Sequence, residues 1–103
     1  MNEAQKQLSE AKTLISDSAN WCQHANARSN TGQEVDVESE SATKWCAFGA
    51  LLRTHCRGSC VLYLDQAAEE LCCGKGFVKT NDTTDHPTVM RMFDRAIELA
   101  GES

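Results

Sequence analysis

Apolar residues recur at helical spacing in four separate stretches of this chain, and that recurrence limits the fold more than any other feature. Ala4, Leu8, Ala11 and Ile15 stand four, three and four residues apart, with Leu14 beside them and Glu, Gln, Lys and Ser opposite. This predicts an amphipathic helix over residues 3–18. Ser16-Asp17-Ser18-Ala19-Asn20 ends it before Trp21, because short polar side chains compete for backbone hydrogen bonds. A strongly apolar second helix is expected from Ala42 to His55, with hydroxyls and a carboxylate of Ser39-Glu40-Ser41 at its positive end. Gly49 inside it costs roughly 1 kcal/mol relative to alanine, which makes sense if another helix or Trp21 packs against the backbone there. Ser59 caps a third helix carrying Val61, Leu64, Ala68, Leu71 and Cys72 and closed by Gly74. Pro87 opens the last, in which Val89, Phe93, Ala96, Ile97 and Ala100 recur until Gly101.

Between the first two helices the helical period disappears. Ser29-Asn30-Thr31-Gly32 has turn chemistry, and Val35-Asp36-Val37-Glu38 alternates, so a short hairpin is expected whose second arm turns valines inward and carboxylates outward. Phe77-Val78-Lys79-Thr80 has strand composition and would pair as a third short strand, followed by a turn-and-cap cluster from Asn81 to Asp85. The fold class is therefore mainly α (α+β): one globular domain over residues 1–103, with four helices and a small antiparallel hairpin or three-stranded sheet. Its expected core is Leu8, Ile15, Trp21, Trp45, Gly49, Leu52, Val61, Leu64, Leu71, Val89, Phe93 and Ile97.

Ten Lys and Arg against fifteen Asp and Glu leave a formal net charge of −5. That is opposite to the footprint of a phosphate-binding surface, so direct nucleic-acid binding is disfavoured. No apolar stretch reaches the roughly 18–20 residues that cross a bilayer. The polar N-terminus lacks a signal peptide's apolar core, and the expected location is the cytoplasm. The six cysteines are Cys22, Cys46, Cys56, Cys60, Cys72 and Cys73. In a reducing compartment they are expected as thiols, mostly small buried hydrophobes. A zinc site would draw on Cys56, Cys60 and Cys72 or Cys73, but no Cys-x-x-Cys knuckle occurs.

Trp21-Cys22-Gln23, Gly32-Gln33-x-Val35, Ala42-x-x-Trp45-Cys46-Ala47-x-Gly49-Ala50-Leu51, Asn81-Asp82, Val89 and Arg95-Ala96-Ile97 follow one another in a distinctive order. Together they resemble a family of small bacterial and phage proteins known only as a domain of unknown function. The resemblance spans nearly the whole chain and implies an intracellular accessory protein, often carried on phage or mobile DNA. It brings no activity, cofactor or catalytic residue with it.

Two kinds of site remain. A cysteine nucleophile would need a thiolate beside a histidine oriented by a third group; Cys22 and His24 with Asp82, Asp85 and His86 supply the residue types if their loops meet. The alternating carboxylates Glu34, Asp36, Glu38 and Glu40 instead suit a basic surface on another protein. The leading expectation is a non-catalytic protein-binding module without a cofactor, most concretely a phage inhibitor of a host defence complex of the anti-CRISPR kind. The alternative is a cysteine-dependent enzyme or small zinc protein, and a homodimer stands as one option for covering apolar surface.

Overall fold

The computed structural model describes residues 1–56, 58–71 and 76–102. Its elements run α1 (Glu3–Leu14), a 3-10 turn (Ser18–Asn20), β1 (Ala27–Arg28), β2 (Lys44–Trp45), α2 (Ala47–Arg53), α3 (Ser59–Leu71), α4 (Phe77–Thr83) and α5 (His86–Glu102). The expected helix-rich class is therefore found, with five α-helices instead of four and a two-stranded antiparallel sheet among the described residues.

The amphipathic periods pack α1 and α3 each against α5, and α1 and α3 also touch one another. Leu8, Ala11, Ile15, Leu64, Val89, Met92, Phe93 and Ala96 are buried in their common core. Asn2 starts α1: its Oδ1 accepts from the Gln5 N–H at 2.8 Å while Gln5 Oε1 accepts from the Asn2 N–H at 3.0 Å. The same two side chains reach α5, donating to the carbonyls of Ala100 (2.9 Å) and Ile97 (3.1 Å). Asp85 opens α5 by accepting from the Thr88 N–H at 3.0 Å and hydroxyl at 2.6 Å. Those bonds hold its carboxyl below the usual carboxylate range. The helix runs on through Gly101 to Glu102, beyond the expected stop.

Three expectations are corrected. Residues 77–80 are the start of α4 and contribute no strand. Phe77, Thr80 and Asn81 are the buried residues, at helical spacing. Thr80, Thr83 and Thr84 return their hydroxyls to the carbonyls four residues earlier, so β-branched threonines sit in a helix with their polar groups satisfied. Asp65 of α3 completes the start of α4 by accepting from the Phe77 N–H at 3.0 Å. Next, α2 begins at Ala47 instead of Ala42, because Lys44 and Trp45 pair with Arg28 and Ala27. The Cys46 sulfur then accepts from the Gly49 N–H at 3.3 Å as the cap. Last, Leu52 and Leu71 lie outside the core, 38% and 41% exposed; Cys72 and Gly74 fall outside the described residues.

The expected turn is present, with Gly32 at φ 88°. Its arms are joined by Ser29 N–H to the Gln33 carbonyl (2.8 Å) and Val35 N–H to the Ala27 carbonyl (3.1 Å), around a bridge between Arg28 and Glu34. The element packed against Gly49 is this hairpin's first arm. A Cβ at Gly49 would overlap the carbonyl oxygen of Asn26, so the close approach is real but comes from neither a helix nor Trp21.

Candidate functional site

Residues far apart in the chain converge where the segment before β1 meets α2 and α4. Trp21 bridges Trp45, and the Cys22 N–H donates to the Trp45 carbonyl at 3.1 Å. Asn81, only 1% exposed, lies at the centre. Its Oδ1 accepts from Trp21 Nε1–H at 2.7 Å and from the Ala47 N–H at 2.9 Å. Its Nδ2 donates to the Cys22 carbonyl and to Asp82 Oδ1, each at 3.1 Å. One amide thus satisfies an indole, the first N–H of α2 and a loop carbonyl. Gln23 Nε2–H adds bonds to the carbonyls of Asn81 (3.1 Å) and Thr84 (2.9 Å), closing the end of α4.

The same convergence brings together some of the catalytic candidates. His24 takes a left-handed backbone (φ 65°), which lets its N–H donate to Asp82 Oδ1 at 2.8 Å while its exposed ring keeps Nδ1 3.9 Å from Asp82 Oδ2. His86 is elsewhere: its Nε2 is 2.7 Å from the Ile15 carbonyl, and its ring packs on Trp21 with centroids 5.5 Å apart. Asp85 is engaged as the α5 cap. The Cys22 thiol is buried and donates to the Ala25 carbonyl at 3.5 Å. Burial, and then the neighbouring Cys46, push it up to about 11, against the opposing pull of Arg28 and Lys44. Burial also raises Cys46, although backbone N–H groups of Gly49 and Phe48 offset part of the effect. A thiol held so far above neutral pH carries almost no thiolate, and His86 is engaged with the Ile15 carbonyl and the Trp21 ring.

The expectation of reduced cysteines is corrected at one pair. Cys56 and Cys60 form a disulfide, Cα atoms 6.5 Å apart, where the chain turns from α2 into α3 with His55 (φ 59°) and Gly58 (φ 66°) in left-handed conformations. Bonded to each other, these sulfurs are not available as the zinc thiolates of the alternative reading, whose third ligand, Cys72, lies outside the described residues. Among the described residues no three His, Cys, Asp or Glu side chains gather as a metal site. No helix there is long and apolar enough to cross a membrane.

The acidic run is placed as its alternation predicts: Glu34, Asp36, Glu38 and Glu40 are exposed, while Val35 and Val37 are half-buried against the core. Only its start is extended: Glu34 bridges β1, and the chain then turns at residues 36–39, where the Ser39 N–H donates to the Asp36 carbonyl at 3.0 Å. Asp36 Oδ1 accepts from the Glu38 N–H at 2.9 Å, and Glu38 faces Arg53 (3.6 Å) and His55 (3.8 Å). Among the described residues no ion pair engages the carboxylates of Glu34, Asp36 or Glu40. Asn26, Glu34, Val35, Asp36, Val37 and Leu52 line a cleft of about 620 Å³. A second, of about 610 Å³, shares Val35 and adds Glu40 with the hydroxyl side chains of Ser29, Thr31, Ser41 and Thr43.

Asn81-Asp82 reads locally as a turn, a pattern that hides the long-range role of the amide. The helical spacing of Phe77, Thr80 and Asn81 was the available signal. The motif residues Trp21-Cys22-Gln23, Trp45-Cys46-Ala47 and Asn81-Asp82 prove to be one junction. No curated protein and no solved structure matched the chain. The model of a family of unknown function, DUF6197, matches residues 1–99, and the chain belongs to that family.

Proposed function

We propose that this domain is a non-catalytic protein-binding module whose docking surface is the acidic arm at Glu34, Asp36, Glu38 and Glu40. Its partner is a protein with a basic surface. The most concrete version is a phage or mobile-element inhibitor of a host defence complex, of the anti-CRISPR kind, that occupies a groove built for nucleic acid. One observation carries the reading: the carboxylates of Glu34 and Asp36, in no ion pair among the described residues, stand beside a cleft that also holds Val35, Val37 and Leu52. Such a surface attracts a Lys/Arg-lined groove at long range and still offers apolar contact on arrival. The net charge of −5 acts in the same direction.

The test uses a purified CRISPR effector loaded with its guide. Titration with this protein should abolish binding of the matching DNA, with inhibition weakening as salt rises. The triple variant Glu34→Lys, Asp36→Lys, Glu40→Lys should lose that inhibition. DNA binding unchanged at saturating protein would refute the inhibitor version. For any other stoichiometric partner, affinity equal in wild type and triple variant would refute the docking surface itself.

A further inference from the structure

The outward side of the hairpin's second arm has an unused hydrogen-bonding edge. Ser29 N–H to Gln33 C=O and Val35 N–H to Ala27 C=O flank the Arg28–Glu34 bridge. Those bonds turn the backbone groups of residues 33 and 35 toward β1 and the N–H and C=O of Glu34 away from it. Among the described residues nothing pairs with either group of Glu34 or with the N–H of Asp36. The opposite side of β1 is already taken by β2. An exposed edge of this kind is a template for another extended chain. The carboxylates beside it specify the sign of that chain's charge, and Val35 connects the two clefts that the arm borders.

We infer that the partner docks as an extended segment that adds a strand along Glu34–Asp36, with Lys or Arg at alternate positions. This rests on the protein-binding reading above and names how the partner is held. In a pleated pair, side chains two residues apart share a face. Basic residues at positions i and i+2 of the added segment therefore meet Glu34 and Asp36 together, and the shorter side chains between them turn to the other face of the arm. Backbone bonds supply the register and the carboxylates supply selectivity for charge.

The test leaves the folded protein unaltered by changing the ligand. An eight-residue peptide alternating lysine and threonine is titrated into the wild-type protein, beside two analogues N-methylated on alternate residues, one at the lysines and one at the threonines. Only one of these sets can face the arm. The parent peptide should bind, one methylated analogue should bind at least tenfold more weakly, and the other should stay within about twofold. Hydrogen exchange at the Glu34 and Asp36 amides should slow at least tenfold in the complex, and Glu34→Lys/Asp36→Lys should weaken binding at least tenfold. No binding of the parent, equal binding of both analogues, or unprotected amides would overturn strand addition. The wider docking reading stands or falls separately, on the partner assay with the triple variant.

Discussion

Replacing Asn81 by alanine tests the junction most directly. The side chain is buried and makes four hydrogen bonds, so its removal leaves Trp21 Nε1–H, the Ala47 N–H and the Cys22 carbonyl without this partner. A buried polar group left unsatisfied costs about 1–3 kcal/mol. With some relaxation, the three together predict a loss of about 3–5 kcal/mol, a large share of the roughly 5–15 kcal/mol that holds a domain of this size folded. With a urea m-value near 2 kcal/mol per molar, the midpoint should fall by about 2 M, followed by tryptophan fluorescence. Asn81→Asp keeps an oxygen acceptor but places a carboxylate where Nδ2 meets Asp82, so it should also be destabilised and should regain stability as pH falls toward 4. A midpoint for Asn81→Ala within about 0.3 M of wild type would refute the assignment of Asn81 as the junction's central group.

Gly49→Ala should destabilise by about 2 kcal/mol although alanine is the better helix former, because its Cβ would overlap the Asn26 carbonyl; a raised melting temperature would contradict this. Trp45 is 8% exposed in the core, so Trp45→Ala should cost about 3–5 kcal/mol, measured by the same urea titration. Reducing the Cys56–Cys60 disulfide, which closes a loop with a sequence separation of four, should lower stability by about 2 kcal/mol, read from urea midpoints with and without reductant. Cys22 keeps its proton up to about pH 11 in the folded chain and loses it at its ordinary 9.0 when unfolded. The folded state therefore binds more protons in that window, and its advantage fades as pH rises from 9 toward 11. Urea midpoints taken between pH 8 and 10.5 should decline, and Cys22→Ala should flatten the decline.

Local pattern was enough to locate α1, α3 and α5 and to orient the acidic arm. Each depends on which residues alternate or recur within a few positions, and burial of one face follows from that period wherever the core happens to lie. Gly49 likewise announced a close neighbour, since a mid-helix glycine loses stability unless something needs the space. The identity of that neighbour, the hairpin backbone at Asn26, required the assembled fold. Phe77-Val78-Lys79-Thr80 reads as a strand because β-branched and aromatic residues favour one in isolation. In the folded chain, threonine hydroxyls bonded to carbonyls four residues back and the burial of Phe77, Thr80 and Asn81 outweigh that weak preference.

The chain's own order of residues determined its helical class, its negative charge and the outward alternation of Glu34, Asp36, Glu38 and Glu40, because these are properties of neighbours along the backbone. Only the tertiary structure decided that Asn81 holds Trp21 and α2 together, that Cys56 meets Cys60, and that His86 meets Trp21 and the Ile15 carbonyl. The bonds from Asn81 to Trp21, Ala47 and Cys22 link residues 34 to 60 positions apart, and their geometry is set by how helices pack around a shared core, which no short window of sequence contains.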